Sequence, residues 1–138
     1  MTSVQRVLLV TGDEELAMLL QLELGDMFPQ LSINLVVGLP AALALAKARK
    51  PDLIVLGADG WPVDARHILL LLRTVTGKQT RFILIGRGGS WEKLEDLPVL
   101  AVLRRPVHLQ QLEAVLAQAM QEPITVREDV GVETRVSR

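Results

Sequence analysis

Short runs of uninterrupted apolar residues alternate with longer stretches of helical spacing along most of this chain. Val7-Leu8-Leu9-Val10 is the first run, and it stops at Thr11-Gly12. A strand buried on both faces of a parallel sheet reads this way. Ile33-Asn34-Leu35-Val36-Val37, Leu53-Ile54-Val55-Leu56, Phe82-Ile83-Leu84-Ile85 and residues 99–103 predict four more strands. Between the first two, Asp13-Glu14-Glu15 supplies acids for the positive end of a helix, and Leu16, Leu20, Leu24 and Met27 share one face of it. Gly38 and Pro40 mark the start of a second helix, alanine-rich over 41–49.

A third helix is expected from Asp64 to Thr76, with Ile68, Leu71, Leu72 and Val75 as its core face and Gly77 as its stop. Residues 91–97 have room for a short fourth helix only. Leu109, Leu112, Leu116 and Ala119 line a fifth at spacings of three and four. Five strands alternating with five helices predict an α/β fold, a parallel sheet with helices on both faces. Glu122-Pro123 then breaks the pattern. The expected organisation is one domain over residues 1–121 and a tail over 122–138. That tail is either disordered or an arm that pairs with a sheet edge or a partner.

Composition narrows the function classes. A chain of 138 residues suits one domain, and 49% apolar with 22% charged residues suits a folded one. A net charge of −1 and a pI near 6.1 give no electrostatic footprint for nucleic acid or an anionic membrane. Arg104-Arg105 is too small a basic cluster to change that, and no helix-turn-helix follows it. With no cysteine, disulfides, thiolate metal sites and cysteine nucleophiles are excluded. His67 and His108 have no partner at ligand spacing, so surface or capping roles are expected and no metal site. The N-terminal residues lack the apolar region of a signal peptide, and no apolar run, 68–72 included, can span a bilayer. A cytoplasmic location without membrane insertion is the expectation.

The lead-in Lys50-Pro51-Asp52-Leu53-Ile54-Val55-Leu56 and the pair Arg105-Pro106 after the fifth strand carry a resemblance. In this order of elements they resemble the receiver domain of bacterial two-component response regulators, over about residues 4–121. The resemblance implies a flavodoxin-like, three-layer fold with a five-stranded parallel sheet. It also implies where phosphoryl chemistry would sit. That chemistry needs a carboxylate nucleophile, acidic side chains to hold Mg²⁺, and a hydroxyl and a lysine for the phosphoryl oxygens.

The nucleophile position falls on Gly57, which has no side chain. The acidic pair falls on Thr11 and Gly12, leaving Asp13 as the nearby acid. The hydroxyl position becomes Gly86, the lysine becomes Arg105 and the switch aromatic becomes Val102. The expectation is therefore a stand-alone pseudo-receiver with no catalytic residue and no cofactor. It would act as a phosphorylation-independent protein-protein interaction module in bacterial signal transduction. The resemblance points its protein partners, and a homodimer, to the fourth helix, fifth strand and fifth helix, including Val102 and Arg104.

A competing reading keeps the strand-end rim as a binding site for Mg²⁺, phosphate or a nucleotide. It uses Asp13, Asp59, Arg87, Arg105 and the glycine loop over 86–90. Asp59 is equally at home in an ordinary turn, Ala58-Asp59-Gly60. Separately, Leu70 points away from the third helix's core face, and Met18 and Leu22 lie off the core stripe of the first. If these three lie close together, they would suggest a contact surface.

Overall fold

In the computed structural model each apolar run becomes a strand, within a residue or two of its expected ends. The structure describes residues 6–57, 64–77, 79–87, 94, 96–104 and 108–121. Strands β1 (Arg6–Thr11), β2 (Ser32–Val37), β3 (Leu53–Gly57), β4 (Arg81–Gly86) and β5 (Val99–Arg104) alternate with helices α1 (Glu14–Met27), α2 (Leu39–Arg49), α3 (Ala65–Thr76) and α4 (Leu109–Gln121). The expected short helix over 91–97 lies largely outside the described residues, so α4 is the helix that the sequence places fifth. The tail over 122–138 also lies outside them. No helix among the described residues is long and apolar enough to cross a membrane.

All strand pairs are parallel, in the order β2-β1-β3-β4-β5. Side chains alternate across each strand, so the sheet presents two apolar faces. On one face Val7, Leu9, Leu53, Val55, Ile83 and Ile85 pack with Leu20 and Leu24 of α1 and Leu112 and Leu116 of α4. On the other, Leu8, Val10, Ile54, Leu56, Phe82 and Leu84 pack with Ala42 and Ala46 of α2 and Ile68, Leu69 and Leu72 of α3. The buried residues of α2 are alanines, which let that helix lie close to the sheet, while Leu39, Leu43 and Leu45 pack half-buried against the same cluster.

This layering corrects one expectation. The step from β1 to β2 moves outward and places α1 on one face. The return from β2 to β3 reverses direction, so a crossover of the same hand places α2, and then α3, on the other face. Leu22 and Leu70 are exposed as expected, at 67% and 39%, but they stand on opposite sides of the sheet and form no common surface with each other. Within α3 the buried residues are Ala65, Ile68, Leu69 and Leu72, whereas Leu71 and Val75 are half-buried. The core face is rotated by part of a turn toward Leu69.

Local signals set the helix ends. Asp64 caps α3 by accepting a hydrogen bond from His67 N (3.0 Å), and Gly77 ends it at φ +90° while donating to Arg73 O. His67 and His108 are both exposed, the latter just ahead of α4. The Lys50-Pro51-Asp52 lead-in acts at the N-terminal ends of the strands. Lys50 takes the left-handed conformation (φ 49°) that closes α2. Pro51 O accepts from the buried Thr80 hydroxyl at 2.7 Å. Asp52 accepts from Arg6 N through its carboxylate (2.9 Å) and donates its own N–H to Arg6 O. The motif ties together the starts of β1, β3 and β4, and its part is structural.

Arg66 of α3 holds Asp96 through two parallel bonds, at 2.7 and 2.9 Å, fixing the segment that leads into β5. The guanidinium pulls the Asp96 carboxyl down to about 2. A carboxyl depressed on folding stabilises above its unfolded value, ordinarily about 3.9, and that contribution is lost as pH falls toward about 2. Both side chains remain open to solvent, which keeps the effect small. A carbon-detected NMR titration should show the Asp96 midpoint near 2, and Asp96→Asn should have a shallower acid limb of stability than the parent. An Asp96 midpoint at the ordinary carboxylate value would show that the pair does not form in solution.

Candidate functional site

The C-terminal ends of the strands form the rim where open α/β sheets place their ligands. Thr11 ends β1 there with its side chain buried. The Thr11 hydroxyl oxygen accepts from Asp13 N at 2.9 Å, while Thr11 O accepts from Gly38 N at 3.3 Å. The threonine therefore shapes the turn out of β1 and fastens it to the start of α2. Gly12, between them, is exposed.

Asp13 is the N-cap of α1. Its backbone is extended (φ −109°, ψ 106°), and its Oδ1 accepts from Glu15 N (3.0 Å) and Leu16 N (3.3 Å). This satisfies two of the helix's unpaired donors, and Glu14 and Glu15 add favourable charge to the first turn. The acid left over from the expected metal pair thus has a structural task.

Gly57 ends β3 beside Thr11, one step beyond the last paired residues of the two strands, Val10 and Leu56. A Cβ on Gly57 would stand 2.6 Å from Thr11 Oγ1, 3.0 Å from Thr11 Cβ and 3.3 Å from Leu16 Cδ2. At those distances a side chain at 57 fits only if the Thr11 side chain shifts. The Thr11 side chain fills the place into which a residue at 57 would project. The two positions form a matched pair, a filled threonine against an empty glycine.

On the far side, Gly86 ends β4, buried and in register with Arg104, which ends β5 exposed. Arg87 follows Gly86 at the surface. Asp59 and Arg105, and the loop residues beyond Arg87, lie outside the described residues. Of Thr11, Gly12, Asp13, Gly57 and Gly86, one carries a carboxylate, and that one caps a helix. Among these positions Asp13 alone offers a carboxylate to a Mg²⁺ ion, which is usually held by one or two carboxylates together with water and phosphate oxygens. No group of three or more His, Asp or Glu among the described residues could hold a metal.

One of the expected interface positions changes meaning. Val102 is 1% exposed and packs in the cluster beneath α3, so it offers no side chain to a partner. Strand β5 is buried on both faces from Val99 to Leu103, so Val102 lies in the core, and Arg104 is exposed because it ends the strand. Reading the chain in one dimension identifies Thr11 as a changed position but misses its contact with Gly57. The available signal was the adjacency of the two strand ends, which requires the register of β1 against β3.

The chain is similar in structure to the signal receiver domain of a DNA-binding response regulator from Colwellia psychrerythraea. The TM-score is 0.74 at 20% identity, covering 86% of this chain and 99% of that one. It is also similar to a two-component response regulator from Clostridium difficile, with a TM-score of 0.73 at 18% identity, covering 88% and 99%. A third similar structure is described as a novel family of redox sensors in the streptococci that evolved from two-component response regulators. There the TM-score is 0.71 at 20% identity, and the match covers 86% of this chain and 52% of that one. No protein-family model matches the chain, and no curated protein matches it in sequence. Strand order, layering and these likenesses agree that the chain has the flavodoxin-like fold of response-regulator receiver domains.

Proposed function

We propose that this protein is a pseudo-receiver, a non-catalytic protein-protein interaction module in bacterial two-component signalling that works without a phosphate switch. The observation that carries the reading is the packing of Thr11 into the space beside Gly57, where a Cβ would meet the hydroxyl at 2.6 Å. A nucleophile is absent there, and the volume it would need is taken. The capping of α1 by Asp13 supports the same reading, because it gives the remaining acid another use. A similar structure described as a redox sensor evolved from response regulators supports the idea that this fold can serve other signals. A thiol-based signal is closed to this chain, which has no cysteine.

On this reading the protein acts through its surface. The fold suggests β5 and the last helix as the contact region, including self-association into a homodimer, with Arg104 at its margin. Incubation with acetyl phosphate and Mg²⁺, or with beryllofluoride and Mg²⁺, tests the central claim. Intact mass should show no phosphoryl adduct, and amide NMR should show no shifts at Thr11, Asp13 or Gly57. A stable adduct, or saturable shifts at those amides, would sink the reading.

A further inference from the structure

The two edge strands of the sheet differ. Strand β5 is buried from Val99 to Leu103, whereas β2, at the other edge, is half-buried or exposed everywhere except Val36. The six residues of β2, Ser32-Ile33-Asn34-Leu35-Val36-Val37, include no charge and no proline, and their register against β1 is unbroken. Charges, prolines and bulges are what ordinarily keep an edge strand from pairing with another chain. Among the described residues, nothing of that kind protects β2.

The backbone shows which groups are on offer. Gly38 N donates to Thr11 O, so Gly38 turns its polar groups toward β1. These groups alternate in direction along a strand, so Ile33, Leu35 and Val37 turn theirs outward, away from β1. The same three residues lie on the α1 side of the sheet. Ile33 and Leu35 pack against the α1-side cluster, Val36 belongs to the opposite one, and Val37, two residues beyond Leu35, is 45% exposed. A two-fold axis through Leu35, perpendicular to the sheet, satisfies both constraints at once. It sets Leu35 opposite the partner's Leu35, and Ile33 opposite the partner's Val37. Each becomes an antiparallel hydrogen-bonded pair, with its side chains on one face. An unrelated strand would have to match this spacing, whereas a second copy carries it.

We propose that two copies of this chain pair antiparallel through β2, about a two-fold axis at Leu35, and join their sheets into one. Helix α1 lies over β1 and β2, so the two α1 helices would flank the seam, where the exposed Met18, Leu19 and Leu22 can widen the contact. The pairing stands independently of the pseudo-receiver reading, and it uses the edge opposite β5.

Sedimentation and NMR on the full chain test it. The chain should sediment as a dimer that dissociates on dilution, and the Ile33, Leu35 and Val37 amides should exchange slowly. In a mixture of differently labelled copies, contacts should join Leu35 to Leu35 and Ile33 to Val37. Val37→Lys places a charge against Ile33 twice per dimer and should weaken association roughly tenfold, with the amide spectra of β3 and β4 unchanged. A chain that stays monomeric at high concentration overturns the proposal, and so do contacts to β2 from residues 122–138 of the same copy. A dimer that is indifferent to Val37→Lys and weakened by charge reversal at Arg104 also overturns it, by moving the seam to β5.

Discussion

Replacing Gly57 by aspartate is expected to destabilise the protein by about 2 kcal/mol or more and still not let it accept a phosphoryl group. The new Cβ would overlap the Thr11 hydroxyl and crowd Thr11 Cβ and Leu16 Cδ2. Forcing extra atoms into a packed site costs about 1–3 kcal/mol before any burial of charge is added. The side chain would also arrive without the acids that hold a metal, since Thr11 and Gly12 offer none and Asp13 caps α1. Gly57→Ala isolates the steric part, with an expected loss of about 1–3 kcal/mol by urea unfolding. Adding Thr11→Ala removes the hydroxyl and leaves the Cβ at 3.0 Å, so part of that loss should return. A coupling of about 0.5 kcal/mol or more between the two positions is the signature of direct contact. Additive losses, with phosphoryl transfer to Gly57→Asp, would show that Thr11 does not close the site.

The difference between what the sequence shows and what it hides follows from range. Strands β1, β3, β4 and β5 are legible because the interior of a strand buried on both faces must be apolar, and the residues between their ends are. The start at Asp64 and the stop at Gly77 are legible because helix ends impose local chemistry. Gly57 is legible as a missing nucleophile because it sits at a fixed place in a recognisable lead-in. Thr11 as its space-filling partner is not, because that contact joins separate strands whose register the chain order does not state. Leu22 and Leu70 look equivalent for the same reason. Each is an apolar residue opposite a core face, and only the reversal of winding after β2 sends α1 and α3 to different sides. Asp59 and Arg105 fall outside the described residues, so their sequence reading stands as it was.

Val102→Asp is expected to unfold the domain, with a loss of about 4 kcal/mol or more, whereas Leu22→Asp should change stability by about 0.5 kcal/mol or less. Val102 of β5 is 1% exposed and packs in the same cluster as Ile68, Leu69 and Leu72 of α3, with Leu84 of β4 in register beside it. A carboxylate there would have to lose its charge or draw water into the core. Leu22 stands 67% exposed on the outer side of α1, near Met18 at 61%, and meets water in either form. The contrast matters for reading any binding experiment. Partner capture abolished by Val102→Asp reports only that the scaffold has been lost. Capture abolished by Leu22→Asp, with an unchanged urea midpoint, would assign the outer face of α1 to the partner. Capture that survives Leu22→Asp but fails when the Arg104 charge is reversed would assign it to the margin of β5. Should Val102→Asp instead remain folded at the parent's midpoint, β5 does not lie in the core as described, and the contact region would have to be redrawn from that strand outward.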